Sequence, residues 1–241
     1  MNKTGKYFKI YKNGWHLLGA FCIIIVPFLA IIILGKINKI DIEAIFYNLS
    51  ISFYRLSFAY LISLALSIIL AISLWRSKFS NFFTSLFDIM QNIPSFALIP
   101  FFVIWFGYTN EMVIVFATTA MLWPILFSIL AQLKELKTDL SEAAEIFGAK
   151  GLKKIVYYIL PCIFPAVISG SIIGIAMGWE TIIGVEMIGM STGIGSFLNI
   201  ADKTNQEQTI LFAVLALLLL VFSLNRLVWV PMFKKVQNYG E

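Results

Sequence analysis

The chain of 241 residues is 60% hydrophobic, 15% aromatic and only 13% charged, with a mean hydropathy of +0.89. A soluble domain carries nearer a quarter of its residues charged, so the composition excludes one and leaves an integral membrane protein. Its formal net charge of +5 does not point to nucleic acid, because the lysines follow the membrane-length segments.

Six segments approach the roughly 20 apolar residues that cross a hydrocarbon core as helix: 17–34, 51–74, 82–106, 112–133, 156–178 and 209–230. They predict an all-α membrane protein of six transmembrane helices, one transmembrane domain over 1–241. The first follows a basic stretch, as a signal peptide would, and Leu17 to Cys22 resembles a lipoprotein cleavage site. Bulky Phe21 and the lack of a small-residue triplet make it an uncleaved first helix.

The second segment carries Ala59, Ser63, Ser67 and Ala71 at every fourth position, and the fifth carries Ala166, Gly170, Gly174 and Gly178. Small residues at this spacing let neighbouring backbones approach in lipid, where packing drives association. Such faces serve close packing inside one bundle or line a pathway between subunits, and the two are compatible. The third segment holds Pro94 and Pro100, and the fourth holds Pro124. Proline frees a carbonyl four residues earlier and bends the helix, which suits a moving gate as well as a static kink.

Past the fifth segment, the stretch 179–208 holds Gly184, Gly189, Gly193 and Gly195, expected as turns around a short apolar helix. Glu180 and Glu186 follow the expected helix end at Gly178, which places them in an outer vestibule. A charge at the bilayer midplane costs about 2.5–3.5 kcal/mol, so both are functional candidates, with a solvated or paired acid at the membrane edge as the alternative. Arg55 either neutralises one of these acids, anchors its helix by snorkelling or attracts an anionic solute; the structural roles are favoured because an unpaired buried cation is costly. Trp15, Trp75, Trp179 and Trp229 are expected at membrane boundaries. Cys22, Cys162 and the lone His16 form no metal or nucleophile cluster, which speaks against an enzyme.

Assigning alternate loops to one side collects Lys3, Lys6, Lys9, Lys12, Arg76, Lys78, Lys134, Lys137, Lys150, Lys153, Lys154, Lys234 and Lys235, against Lys36, Lys39 and Lys203 opposite. The positive-inside bias makes that side, with both termini, cytoplasmic. There, after the fourth segment, Asp139 and Glu142 fit a capping-box variant. Leu140, Ala143, Ala144 and Phe147 fall on one helical face, and Gly148 can end the helix in the left-handed region. This short helix either enters a groove on a partner or rests on its own bundle and anionic headgroups, aided by Lys150, Lys153 and Lys154.

Glu142-Ala143-Ala144, three residues, Gly148, nine residues, then a hydrophobic position, one further residue and Leu160-Pro161 resembles the EAA signature of membrane subunits of binding-protein-dependent ABC importers. One position departs from it: Tyr158 stands where isoleucine is usual. Ile93 to Gly107, Leu49 to Arg55, and Gly184 to Gly189 with Ser191 to Gly195 are similar to the nitrate, sulfonate and taurine permease branch, so the resemblance covers roughly residues 48–200.

It implies a type I ABC importer permease fold, paired as a homodimer in a prokaryotic plasma membrane. Glu142, Ala143, Ala144, Phe147 and Gly148 of the coupling loop 134–155 would seat in a cytoplasmic ATPase. A solute-binding protein would deliver a sulfonate, nitrate, taurine or vitamin-precursor solute. ATP and Mg would sit on the partner, and this chain shows no Walker-type loop. Pro94, Pro100, Gly170, Gly174, Gly178, Glu180 and Glu186 are the expected pathway residues. Glu186 matches an acid of the branch, whereas Glu180 stands where an apolar residue is expected, which speaks against a purely anionic solute. The rival expectation is a proton-coupled secondary transporter working through Glu180 and Glu186.

Overall fold

The computed structural model describes residues 15–237 except 76 and 137; the side chains of 15–23, 138–140 and 234–237 lie outside that description. The expectations for Trp15, His16, Cys22, Leu140 and the Asp139 cap fall on those side chains. Among the described residues the regular structure is all helix.

Helix α1 (Trp15–Ile37) turns through Lys39, at φ +58°, into α2 (Ile42–Leu74). The Asp41 carboxylate caps α2 by accepting from the Ala44 amide at 2.9 Å, satisfying one of the donors a helix start leaves open. Then come α3 (Ser80–Gln91), a 3-10 turn (Ser95–Leu98) and α4 (Ile99–Phe106). Gly107, at φ +64°, and the Thr109 cap lead into α5 (Asn110–Lys134). A short α6 (Thr138–Ile146) precedes the continuous helical stretch Leu152–Gly189, whose main part is α7 (Leu160–Gly189). Helix α8 (Ile194–Lys203) follows, and α9 (Glu207–Leu224) runs into α10 (Val230–Gln237).

Two expected spans are corrected. The third is not one kinked helix: α3 and the 95–106 segment meet at 85°. Helix α3 ends at Gln91, and Pro94 disfavours helical backbone at the residue before it, so the helix does not resume across this point, while Pro100 sits in the first turn of α4, where a missing N–H costs nothing. The fifth does not stop at Gly178 but continues through Gly189. Gly184 and Gly189 are therefore not turns but contact points. A Cβ at Gly184 would stand 2.2 Å from the Phe96 ring, and one at Gly189 would stand 2.0 Å from the Tyr108 ring. Of the six expected spans, four are single helices long and apolar enough to cross, the bent pair is a fifth, and the described apolar part of α1 is the shorter Ile24–Ile37.

The centre of the bundle is α5, held between α2 and α7. Ser63 Oγ donates to the Thr118 carbonyl at 2.9 Å and Ser67 Oγ to the Leu122 carbonyl at 3.0 Å, so the small-residue face of α2 is laced to α5. On the other side a Cβ at Gly170 would fall 2.8 Å from Ile125 Cα, and one at Gly174 would fall 3.1 Å from the Met121 carbonyl oxygen. One at Gly178 would meet the Met121 sulfur at 2.7 Å. The glycine face thus brings two backbones together inside this chain. Trp179 and Trp229 are buried in the bundle rather than set in an interfacial belt.

Two of the prolines, Pro161 and Pro231, each have a widened turn before them. π-helical segments span Ile155–Ile159 before Pro161 and Asn225–Trp229 before Pro231. Proline cannot donate to the carbonyl four residues back, here Tyr157 and Leu227, and the wider turn lets those helices continue across the missing bond.

Candidate functional site

Two polar regions stand out, at opposite ends of α5. At the Asn110 end, Arg55 and Glu186 are both fully buried and form an ion pair at 2.5 Å. The guanidinium is fully committed. Its Nη1 also donates to the Thr192 carbonyl at 2.8 Å, Nη2 to Thr192 Oγ1 at 2.8 Å, and Nε to Asn110 Oδ1 at 2.9 Å. Glu186 Oε2 accepts from Ser52 Oγ at 2.7 Å and from the Gly195 amide at 2.9 Å. Ser52 Oγ in turn accepts from the Ile194 amide at 2.8 Å, and Asn48 Oδ1 accepts from the Gly193 amide at 3.0 Å.

The α7–α8 turn is thereby tied to α2 and α5. Its glycines make the approach possible. Gly193 sits at φ +106°, and a Cβ there would be 2.2 Å from the Glu186 carboxyl carbon; one at Gly195 would be 2.3 Å from the Ile183 carbonyl oxygen. Glu186 accordingly does not lie in an open vestibule. It is the centre of a satisfied buried network, the condition under which buried charges are tolerated. Glu180 is exposed. Six residues apart on one helix, the two acids point about 120° apart around its axis and about 9 Å apart along it, so α7 does not hold them as a proton-relay pair.

At the Lys134 end, α6 closes as the sequence pattern predicts. Gly148 adopts φ +87°, its amide reaches the Glu145 carbonyl at 3.0 Å, and the Ala149 amide reaches the Ala144 carbonyl at 2.9 Å. These two bonds make a Schellman ending. Ser141 is buried, Ala143 and Ala144 are half-buried, and Glu142 is exposed. Ile146 at 84%, Phe147 at 90% and Leu152 at 79% exposure give the helix end an open apolar tip.

Lys154 lies underneath. It is buried, ion-paired to Glu145, and its ammonium stands 5.9 Å from the centre of the Trp75 ring at the end of α2. It therefore joins α6 to the roots of α7 and α2 and is not free for lipid headgroups. Lys150 and Lys153 are exposed.

Of the expected pathway residues, Gly170, Gly174 and Gly178 face α5, and Pro94 marks the exposed break between α3 and α4. Pro100 lines an open apolar groove with Phe96, Val103, Ile104, Tyr108 and Ile188. Sequence reasoning missed the roles of Ser52, Asn110 and Thr192, and assigned Lys154 to lipid headgroups rather than to Glu145 and Trp75. Their partners lie on other elements, and the only available signal was the presence of polar residues near the ends of apolar segments.

A multi-span helical bundle with a polar clamp at one end and an exposed loop helix at the other has the build of a transport permease. The family described as the inner membrane component of binding-protein-dependent transport systems matches residues 63–230, and the chain belongs to it. Among relatives, it is 27% identical to the taurine transport system permease protein TauC of Escherichia coli (strain K12), over 57% of this chain and 50% of that one. It is 23% identical to the putative aliphatic sulfonates transport permease protein SsuC of Bacillus subtilis (strain 168), over 81% and 72%. The nitrate import permease protein NrtB of Synechococcus elongatus is 26% identical over 75% and 66%. The chain thus spans half the length of the taurine permease that it matches.

Proposed function

We propose that this chain is the permease subunit of an ABC importer. It takes up a small solute of the sulfonate, nitrate, taurine or vitamin-precursor class, delivered by an extracytoplasmic binding protein. Two copies pair in the membrane. Each crosses six times, with α1 and the bent α3–α4 pair counted as crossings, and the lysine-rich side with both termini is cytoplasmic. ATP and its magnesium are bound by the partner ATPase.

One observation carries the reading: α6 ends in an open apolar tip while its base is pinned by Lys154 to α7 and α2. An apolar tip on a short helix fits a groove of a partner protein. Its base then passes the partner's movement to the two helices that flank α5. Glu142, Ala143, Ala144, Phe147 and Gly148 form the docking element, with the alanines allowing close approach. The proton-coupled alternative has weaker support, since every donor around Glu186 is engaged in holding the α7–α8 turn.

The test is a single cysteine at Phe147 in a chain otherwise free of cysteine, treated in membranes with a short cross-linker that has one thiol-reactive end and one photoactivated end. The expected product is a covalent adduct with a chain bearing a Walker-type nucleotide site, identified by mass spectrometry. Adducts with lipid or with this chain alone would overturn the proposal.

A further inference from the structure

Glu180 is exposed on α7 with no hydrogen-bond or ion-pair partner among the described residues, on a face whose other members are Ile173, Met177, Met187 and Ile188. It lies about 9 Å inward along α7 from Glu186 at 1.5 Å per residue, and Glu186 is tied through Arg55 to Asn110, the first residue of α5. A carboxylate at that depth does not face acyl chains; ionisable side chains inside spans face protein or water.

A second, independent feature lies beside it. The Phe96 ring covers Gly184, one turn along α7 from Glu180, and this ring directly follows the 92–94 break, where Asn92 and Pro94 are exposed. Non-helical backbone at membrane depth is tolerated only inside protein or against a water-filled cavity. An unpartnered acid and an open chain break thus share one side of α7.

We propose that Glu180 lines the aqueous conduit beside this break and sets its charge preference. It favours solutes with a protonated amine, a cationic heterocycle or N–H donors, and disfavours simple anions. This rests on the permease reading and narrows its substrate class.

The experiment uses the full chain in membranes with Cys22 and Cys162 replaced by serine and Ala176→Cys, one turn from Glu180 on the same exposed face, as reporter. Labelling is compared between a cationic trimethylammonium-ethyl and an anionic sulfonatoethyl methanethiosulfonate, with Glu180 intact or as Glu180→Gln. Relative to the two reagents' own rates with a simple thiol in solution, the cationic reagent is expected to be favoured about tenfold, in keeping with the concentrating effect of a charged cleft, and Glu180→Gln to abolish most of that preference. Equal rates unaffected by Glu180→Gln overturn the proposal. So does resistance to both charged reagents where N-ethylmaleimide reacts, the mark of a lipid-facing site. The Phe147→Cys adduct is scored in parallel, in membranes whose chain carries that cysteine alone. Its absence removes the ATPase reading, while charge-selective labelling would still assign the conduit.

Discussion

The two polar ends of the bundle handle their chemistry in opposite ways. Around Arg55 and Glu186 charge is buried and matched within the chain, donor for acceptor across α2, α5, α7 and the turn before α8. At α6 the chain leaves large apolar side chains uncovered and commits the buried Lys154 to holding the base. A region that satisfies itself fixes a shape; one that leaves contacts unmade is built to be completed by something else.

The sharpest way to break this contrast is Glu186→Ala. It leaves the Arg55 guanidinium buried without its counter-ion, a loss of about 3–5 kcal/mol, and the thermal midpoint of the detergent-purified chain should fall markedly. A chain as stable as the parent would remove the clamp from the account. Ala144→Asp tests the other end. Placing a charge in the docking surface should weaken ATPase association by about 2–5 kcal/mol in a pull-down titration, while the permease alone melts as before. A loss of permease stability instead would make α6 part of the fold rather than a contact for a partner.

Smaller effects sharpen the picture. Gly170→Ala forces a methyl against the Ile125 backbone and should cost about 1–3 kcal/mol of stability, read by the same melt. Gly148→Ala meets no neighbour, so its cost is only the left-handed backbone, about 1–2 kcal/mol. It should appear as lower protection of the Ala149 amide in hydrogen exchange, with the melt little changed.

Local features were legible in the sequence and distant pairings were not. Gly148 ends α6 because the requirement for a left-handed residue is written within a few positions of the helix it closes. The four-residue spacing of Gly170, Gly174 and Gly178 likewise gave the close face on α7, though not its partner, α5. Arg55 and Glu186 stand 131 positions apart; neutralisation of one of the two acids was among the roles expected for Arg55, but neither which acid nor the partners around it could be read from the sequence. The same lack of tertiary information made Gly184 and Gly189 look like turns. They are glycines because Phe96 and Tyr108 rest on them, and the helix continues beneath. Pro94 was seen as a bend, but the 85° break that it begins depends on where α4 finds its support.

The broadened coil at Ile155–Ile159 lies immediately after Lys154 and ahead of the long run of α7. A π segment accommodates one residue more than the α-helical path would, and each residue is worth about 100° of rotation. The spare residue therefore sets the angular phase between α6 and the long run of α7. Were it removed, Lys154 would swing away from both Glu145 and Trp75, and α6 would lose its tie to α2.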